Sequence, residues 1–124
     1  MYSAEPLPHF VDEYLAYLYE INPTTATFDG VHVHDDLLED FSRSAIDAQV
    51  RTLGGFARRL AAIDPARLTD VERLERPALE SSIRARLFEL ESVRTWERSP
   101  QLFADTLATS LAGQALFDYA PLAE

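Results

Sequence analysis

The chain has 124 residues, 47% of them hydrophobic and 26% charged, with a net charge of −10. That length suits one domain burying about two-thirds of its unfolded surface, and the composition is globular, not that of a disordered tail. The lack of cysteine excludes disulfide frameworks, thiolate metal sites and cysteine nucleophiles, and the acidic balance repels phosphate backbones and anionic lipid, which argues against nucleic-acid binding.

The first predicted helix carries Leu7, Phe10/Val11, Tyr14/Leu15 and Leu18 at three- and four-residue steps, with Asp12, Glu13 and Glu20 mostly off that face. The Asn22-Pro23 pair ends it, because a residue before proline is pushed out of the α region. Asn22 can then cap a short second helix with Pro23 at its first position, and Gly30 stops that helix. Val31 to Val33 lack helical pattern and are expected to run extended; Asp35 to Phe41 reads as an irregular turn.

Ser42 or Ser44 caps the next helix, with Ile46, Val50, Leu53, Ala57 and Leu60 on its apolar face. Gly54-Gly55 inside it points to a close helix crossing or a kink, since each glycine costs about 1 kcal/mol against alanine. Asp64-Pro65 breaks the chain. Thr69-Asp70-Val71-Glu72 is a capping-box pattern opening a helix with Val71, Leu74, Ala78/Leu79, Ile83, Leu87, Leu90 and Val93 on one face. Pro77 is expected to kink or restart it, leaving one long helix from Pro77 to Glu97. Ser99-Pro100 starts a last helix with Leu102/Phe103, Leu107 and Leu111, which either ends at Gly113 or runs on through Leu116 and Phe117.

No segment shows strand alternation, and four glycines and seven prolines are few for a turn-rich β protein. The fold class read from the sequence is all-α: an antiparallel bundle of about four to five helices, with one irregular loop near residues 30–41. No stretch approaches the ~18–20 apolar residues of a membrane span, and Met1 to Pro8 lacks the basic start of a secretory signal. A soluble, cytoplasmic protein is the expectation, with neither membrane nor nucleic acid as partner.

Charge is segregated along the chain. Residues 1–42 hold nine acids and no arginine or lysine, residues 43–98 hold nine acids and all eleven arginines, and residues 99–124 hold three acids and no base.

Chemically capable side chains concentrate in residues 22–42. On an extended segment His32 and His34 would point to the same side and reach one metal ion, with Asp35 or Asp36 adding an oxygen ligand or orienting a ring. The plainer reading has one histidine bonded to backbone and the other solvated. Asp35-Asp36 and Glu39-Asp40 offer carboxylate pairs for acid–base work, or a solvated acidic turn that caps backbone N–H groups; the second reading is preferred. His9 reads as a surface or capping residue, Tyr14, Tyr17 and Tyr19 as core and rim. Trp96 can stack with Arg94 or Arg98 or close the core. There is no H-E-x-x-H, no glycine-rich phosphate loop and no G-x-S-x-G. No catalytic residue is assigned.

The ordered motifs are N-P-x-x-A-T at 22–27, G-x-H at 30–32, D-D-x-L at 35–38 and D-F-S at 40–42. Downstream follow Leu87 to Glu91, Trp96-Glu97, Pro100 and FDYAPL at 117–122. Together they resemble the N-terminal region of the bacterial domain-of-unknown-function family 885, over essentially the whole chain. His34 departs from that pattern, where the family more often has an aromatic residue.

The resemblance implies a helical zinc metallopeptidase architecture whose H-E-x-x-H helix lies beyond the region matched. Zinc is implied for that architecture only; no cofactor is expected in this chain. Residues 1–124 are then expected to be a single, non-catalytic helical N-terminal domain, or a fragment, forming part of a substrate-cleft wall. His32, Asp35 and Asp36 are the candidates to face substrate, and the expected partner is the remainder of a larger protein. The alternative is a stand-alone helical interaction module, binding a helical partner or forming a homodimer through exposed apolar helix faces.

Overall fold

Apolar periodicity becomes helix along most of the chain. A computed structural model describes residues 5–116, and no strand occurs among them. Helix α1 (Leu7–Ile21) buries Leu7, Phe10 and Tyr14, the face its spacing predicts. It stops at Asn22-Pro23, and α2 (Pro23–Phe28) begins with proline at its first position.

Asn22 does not cap α2 with its side chain. Its amide Nδ2 instead donates to the Leu18 carbonyl at 2.8 Å, closing α1. The start of α2 is served from a distance: Glu39 accepts from the Thr24 N–H at 3.1 Å and from the Thr24 hydroxyl at 2.7 Å.

Gly30, at φ 86°, turns the chain in the left-handed region. Beyond it His32–His34 form a tight 3-10 turn, not the extended segment expected. A lone extended segment with no neighbouring strand leaves its backbone groups unpaired. The turn instead lets the Leu37 N–H reach the His34 carbonyl at 3.0 Å. Residues 35–41 are irregular, as the sequence indicates.

Ser42 caps α3 (Arg43–Ala62), accepting from the Ala45 N–H, and Ile46, Leu53, Phe56 and Leu60 are its buried residues. No helix crosses at Gly54-Gly55. A Cβ built on either glycine meets only the flexible Arg58 guanidinium, at 3.6 and 3.9 Å. The close approach lies instead at Gly113, where a Cβ would sit 3.1 Å from the Phe28 ring.

The capping box forms as expected: the Thr69 side chain accepts from the Glu72 N–H, and Glu72 accepts from the Thr69 N–H at 2.7 Å. Helix α4 (Asp70–Phe88) then runs unbroken through Pro77, which lies on the exposed side where water can meet the carbonyl it leaves unbonded. Val71 and Leu74, expected in the core, are 64% and 80% exposed; Ile63 and Leu68 of the preceding linker are buried at this end of the core in their place. Arg76 fastens the linker, its guanidinium donating to the carbonyls of Ile63 at 2.7 Å and Ala61 at 3.5 Å. These are C-terminal carbonyls of α3 that would otherwise lack partners.

The long helix expected to reach Glu97 is interrupted. Glu89–Val93 form a wide π turn closed by the Arg94 N–H on the Glu89 carbonyl at 2.7 Å, and Arg94 is left-handed at φ 59°. The Glu89 carboxylate then accepts from the Thr95 N–H at 3.2 Å, and the Trp96 indole donates to the Leu90 carbonyl at 3.0 Å. These bonds hold α5 (Thr95–Arg98) and redirect the chain into α6 (Pro100–Leu116). Helix α6 passes through Gly113; Phe117 and the FDYAPL motif lie outside the described residues.

The core joins α1, α3 and α4. Phe56 is the shared aromatic wall, with ring centroids 5.6 Å from Phe10, 5.3 Å from Tyr14 and 5.5 Å from Tyr17. Leu53, Leu60 and Ile83 complete it. The Tyr14 hydroxyl meets Ser82 of α4 at 2.9 Å, so the one polar atom of this buried ring is satisfied. Arg59 lies over Phe10 and Phe56 and binds Glu5 and Glu13. The hydrogen bond from Arg59 holds the Glu5 carboxyl below its ordinary value of 4.5, with the Arg59 charge and His9 adding to the effect and burial opposing it.

Two predictions follow from this packing. Gly54→Ala and Gly55→Ala should each raise stability by about 0.5–1 kcal/mol, because helix interiors disfavour glycine and the space is open. Gly113→Ala should lower stability, because the Phe28 ring must move; denaturant melts of the three variants measure the contrast. A group with a lowered folded pKa contributes stability above its unfolded pKa that is lost as pH falls through the folded value. Stability is therefore expected to decline below about pH 4.5, with a shallower pH slope in Arg59→Gln; equal slopes would contradict the assignment.

Candidate functional site

Where α3 and α4 part from the 39–41 loop, α5 and α6, they leave a cleft of about 590 Å³. That volume is in the ~300–1,000 Å³ range of small-ligand sites. Ile46 and Leu53 of α3, Leu90 and Trp96 past the end of α4, Leu102 of α6 and Phe41 of the loop form its apolar wall. Its polar groups are Gln49, Ser82, Arg86, Asn22, Thr95 and three carboxylates, Glu39, Asp40 and Glu89.

Each carboxylate is fixed by a local hydrogen bond. Glu39 is held by Thr24, and Glu89 by the Thr95 N–H. Asp40 accepts from the Ser42 N–H at 2.8 Å, a bond that lowers its carboxyl pKa. All three keep lone pairs unused by these bonds. Arg86 makes no hydrogen bond or salt bridge among the described residues, although its charge acts on Tyr17. Ser82 is bonded to Tyr14, not to a base. The cleft thus presents binding chemistry: apolar walls, fixed acceptors and one guanidinium.

The residues singled out from sequence stand elsewhere. His32, Asp35 and Asp36 do not line this cleft. His32 Nδ1 lies 3.1 Å from an Asp35 oxygen, and Asp35 also accepts from the Thr27 hydroxyl at 2.7 Å. The corner is tied to α6 by Gln114, whose amide donates to the Asp35 carbonyl at 2.9 Å. Asp36 is exposed beside it. His32 and His34 occupy a turn of three residues per turn, so residues two apart no longer share a side as they would on a strand.

The cluster with ligand atoms close enough for a metal ion, among the described residues, is Glu5–His9–Glu13. Arg59 already occupies both of its glutamates. None of these groups fits the H-E-x-x-H ligand set, so no zinc chemistry is derived for this chain. The four-residue spacing of Glu5, His9 and Glu13 was the available signal for that cluster. For Arg86 there was no signal, because its setting depends on the π turn.

Trp96 lies between two guanidiniums, as its neighbours suggest, but they are Arg43 and Arg94, at 5.1 and 5.5 Å; Arg98 makes no such contact. No helix of the described residues is long and apolar enough to cross a membrane.

Glu39 connects the loop, α2 and the cleft. Glu39→Ala should cost about 1–3 kcal/mol, since it leaves the Thr24 N–H and hydroxyl without their charged acceptor. Glu39→Gln should cost less; a denaturant series on both variants checks the order.

No curated protein and no solved structure matches the chain. The family model described as Bacterial protein of unknown function (DUF885) matches residues 23–120. The match starts at Pro23 and so omits α1, a narrower span than the resemblance read from sequence. It covers well over half of the chain, and the chain belongs to this DUF885 family.

Proposed function

We propose that this chain is a non-catalytic helical domain of a zinc-peptidase-like architecture, and that its cleft between α3, α4 and α5 forms part of a substrate-binding wall. The cleft carries the reading: an apolar chamber with fixed carboxylates and, among the described residues, a guanidinium free of salt bridges and no nucleophile paired to a base. Apolar side chains would occupy the Phe41–Leu53–Trp96 wall. A basic group or backbone N–H would meet Glu39, Asp40 or Glu89, and a carboxylate would meet Arg86. His32, Asp35 and Asp36 form a second acidic edge on the same loop, with His32 orienting Asp35 and Asp36 open to a basic group. The zinc of the family architecture belongs outside this chain, in the reducing cytosol that a cysteine-free sequence suits.

Trp96 is the only tryptophan of the chain and lines the cleft, so its emission reports occupancy. Short apolar peptides should shift Trp96 emission, with weaker binding in Arg86→Leu, while mass spectrometry finds them uncleaved with or without added zinc. Zinc-dependent cleavage by the purified chain would refute the non-catalytic reading, and unchanged emission would refute the binding one.

A further inference from the structure

We infer that the acidic leucine shelf between the Asp35–Leu38 corner and α6 docks a basic amphipathic helix from another protein. The shelf is separate from the cleft: Asp36, Leu107 and Leu111 line the former and none lines the latter. It is a shallow depression of about 530 Å³. Leu37, Leu38, Leu107 and Leu111 stand there 50%, 49%, 51% and 62% exposed. Phe103, also half exposed, extends the row. Phe103, Leu107 and Leu111 recur every four residues, a stripe about 12 Å long at 1.5 Å per residue, which matches roughly two turns of a partner helix.

The shelf is built before any partner arrives. Gln114 and Thr27 hold Asp35 from α6 and α2, and Phe28 packs on Gly113. Little ordering remains to oppose docking.

Charge selects the occupant. The shelf comes from residues 35–38 and from α6, and neither residues 1–42 nor residues 99–124 contain an arginine or lysine. Asp36 has no salt-bridge or hydrogen-bond partner among the described residues and stands at the edge of the leucines. An apolar helix face flanked by lysine or arginine complements this arrangement. A second copy of the chain offers a poorer match: its exposed Val71 and Leu74 are interleaved with Glu72 and Glu75 as well as Arg73, giving no net positive flank.

The test uses a fluorescein-labelled amphipathic peptide with a leucine face and lysine flanks, and its glutamate-flanked counterpart, followed by anisotropy at physiological ionic strength. The lysine peptide should bind the chain, and the glutamate peptide should not. Asp36→Lys and Leu111→Arg should each weaken binding about tenfold or more. Glu75→Lys, the same charge change at an exposed site on α4, should stay within about twofold. Both shelf residues are exposed, so circular dichroism should be unchanged in the variants. Equal losses in Asp36→Lys and Glu75→Lys would reduce the binding to diffuse attraction and overturn the inference. So would absent binding, equal binding of both peptides, or a doubled solution mass that Leu111→Arg abolishes, which would make the occupant a second copy.

Discussion

The aromatic junction at Phe56 sets the rest of this structure. Phe10, Tyr14 and Tyr17 of α1 converge on that one ring from α3, and the Tyr14 hydroxyl extends the junction to α4 through Ser82. Burial of large rings, Phe10 and Tyr14 edge-on to Phe56, adds apolar stabilisation at this point. Arg59 covers the junction and ties the segment before α1 to α3 through Glu5. A third of the buried core, Leu7, Phe10 and Tyr14, comes from α1, which lies outside the family match. The matched segment of this chain therefore packs against a helix outside the matched residues.

The remaining elements are attached by different forces. Helix α2, the following loop and α6 are held by polar clasps: Glu39 on Thr24, Asp35 on Thr27, and Gln114 on the Asp35 carbonyl. The Phe28–Gly113 contact and the edge-on Phe41–Phe103 ring pair, 5.3 Å between centroids, are apolar additions. Gly113 is the buried residue of α6, and Leu107, Leu111 and Leu116 stay outside. The cleft is the seam between these two regimes. Two of its carboxylates, Glu39 and Asp40, brace the loop, and the third, Glu89, braces α5, which explains why binding chemistry gathers there.

Much of this was legible in the sequence, and the failures have physical causes. The Asn22-Pro23 break, the Ser42 cap and the Thr69–Glu72 capping box depend on local chemistry, and each appears where local rules place it. The all-α class follows from three- and four-residue apolar steps that no strand can accommodate. Gly54-Gly55 misled because a glycine pair signals open space as readily as close approach. The π turn at Glu89–Val93 was invisible because its left-handed residue is Arg94, not glycine, and its closure depends on Glu89 and Trp96 reaching across it. The His32–His34 pair suggested shared ligation only on an extended backbone, and among the described residues no strand stands beside it to support one. The family signature was readable in the order of motifs, whereas Arg86 and the cleft exist only after the helices pack.

One hydrophobic core, made by α1, α3 and the second half of α4, carries α2, the loop and α6, which polar clasps attach along an open cleft. Native-state hydrogen exchange resolved by residue tests this arrangement directly. The slowest amides should lie around Phe10 to Leu18 and Leu53 to Leu60, with α6 opening separately and exchanging about tenfold faster or more. Protection of α6 equal to that of α3, lost in the same cooperative step, would contradict this division.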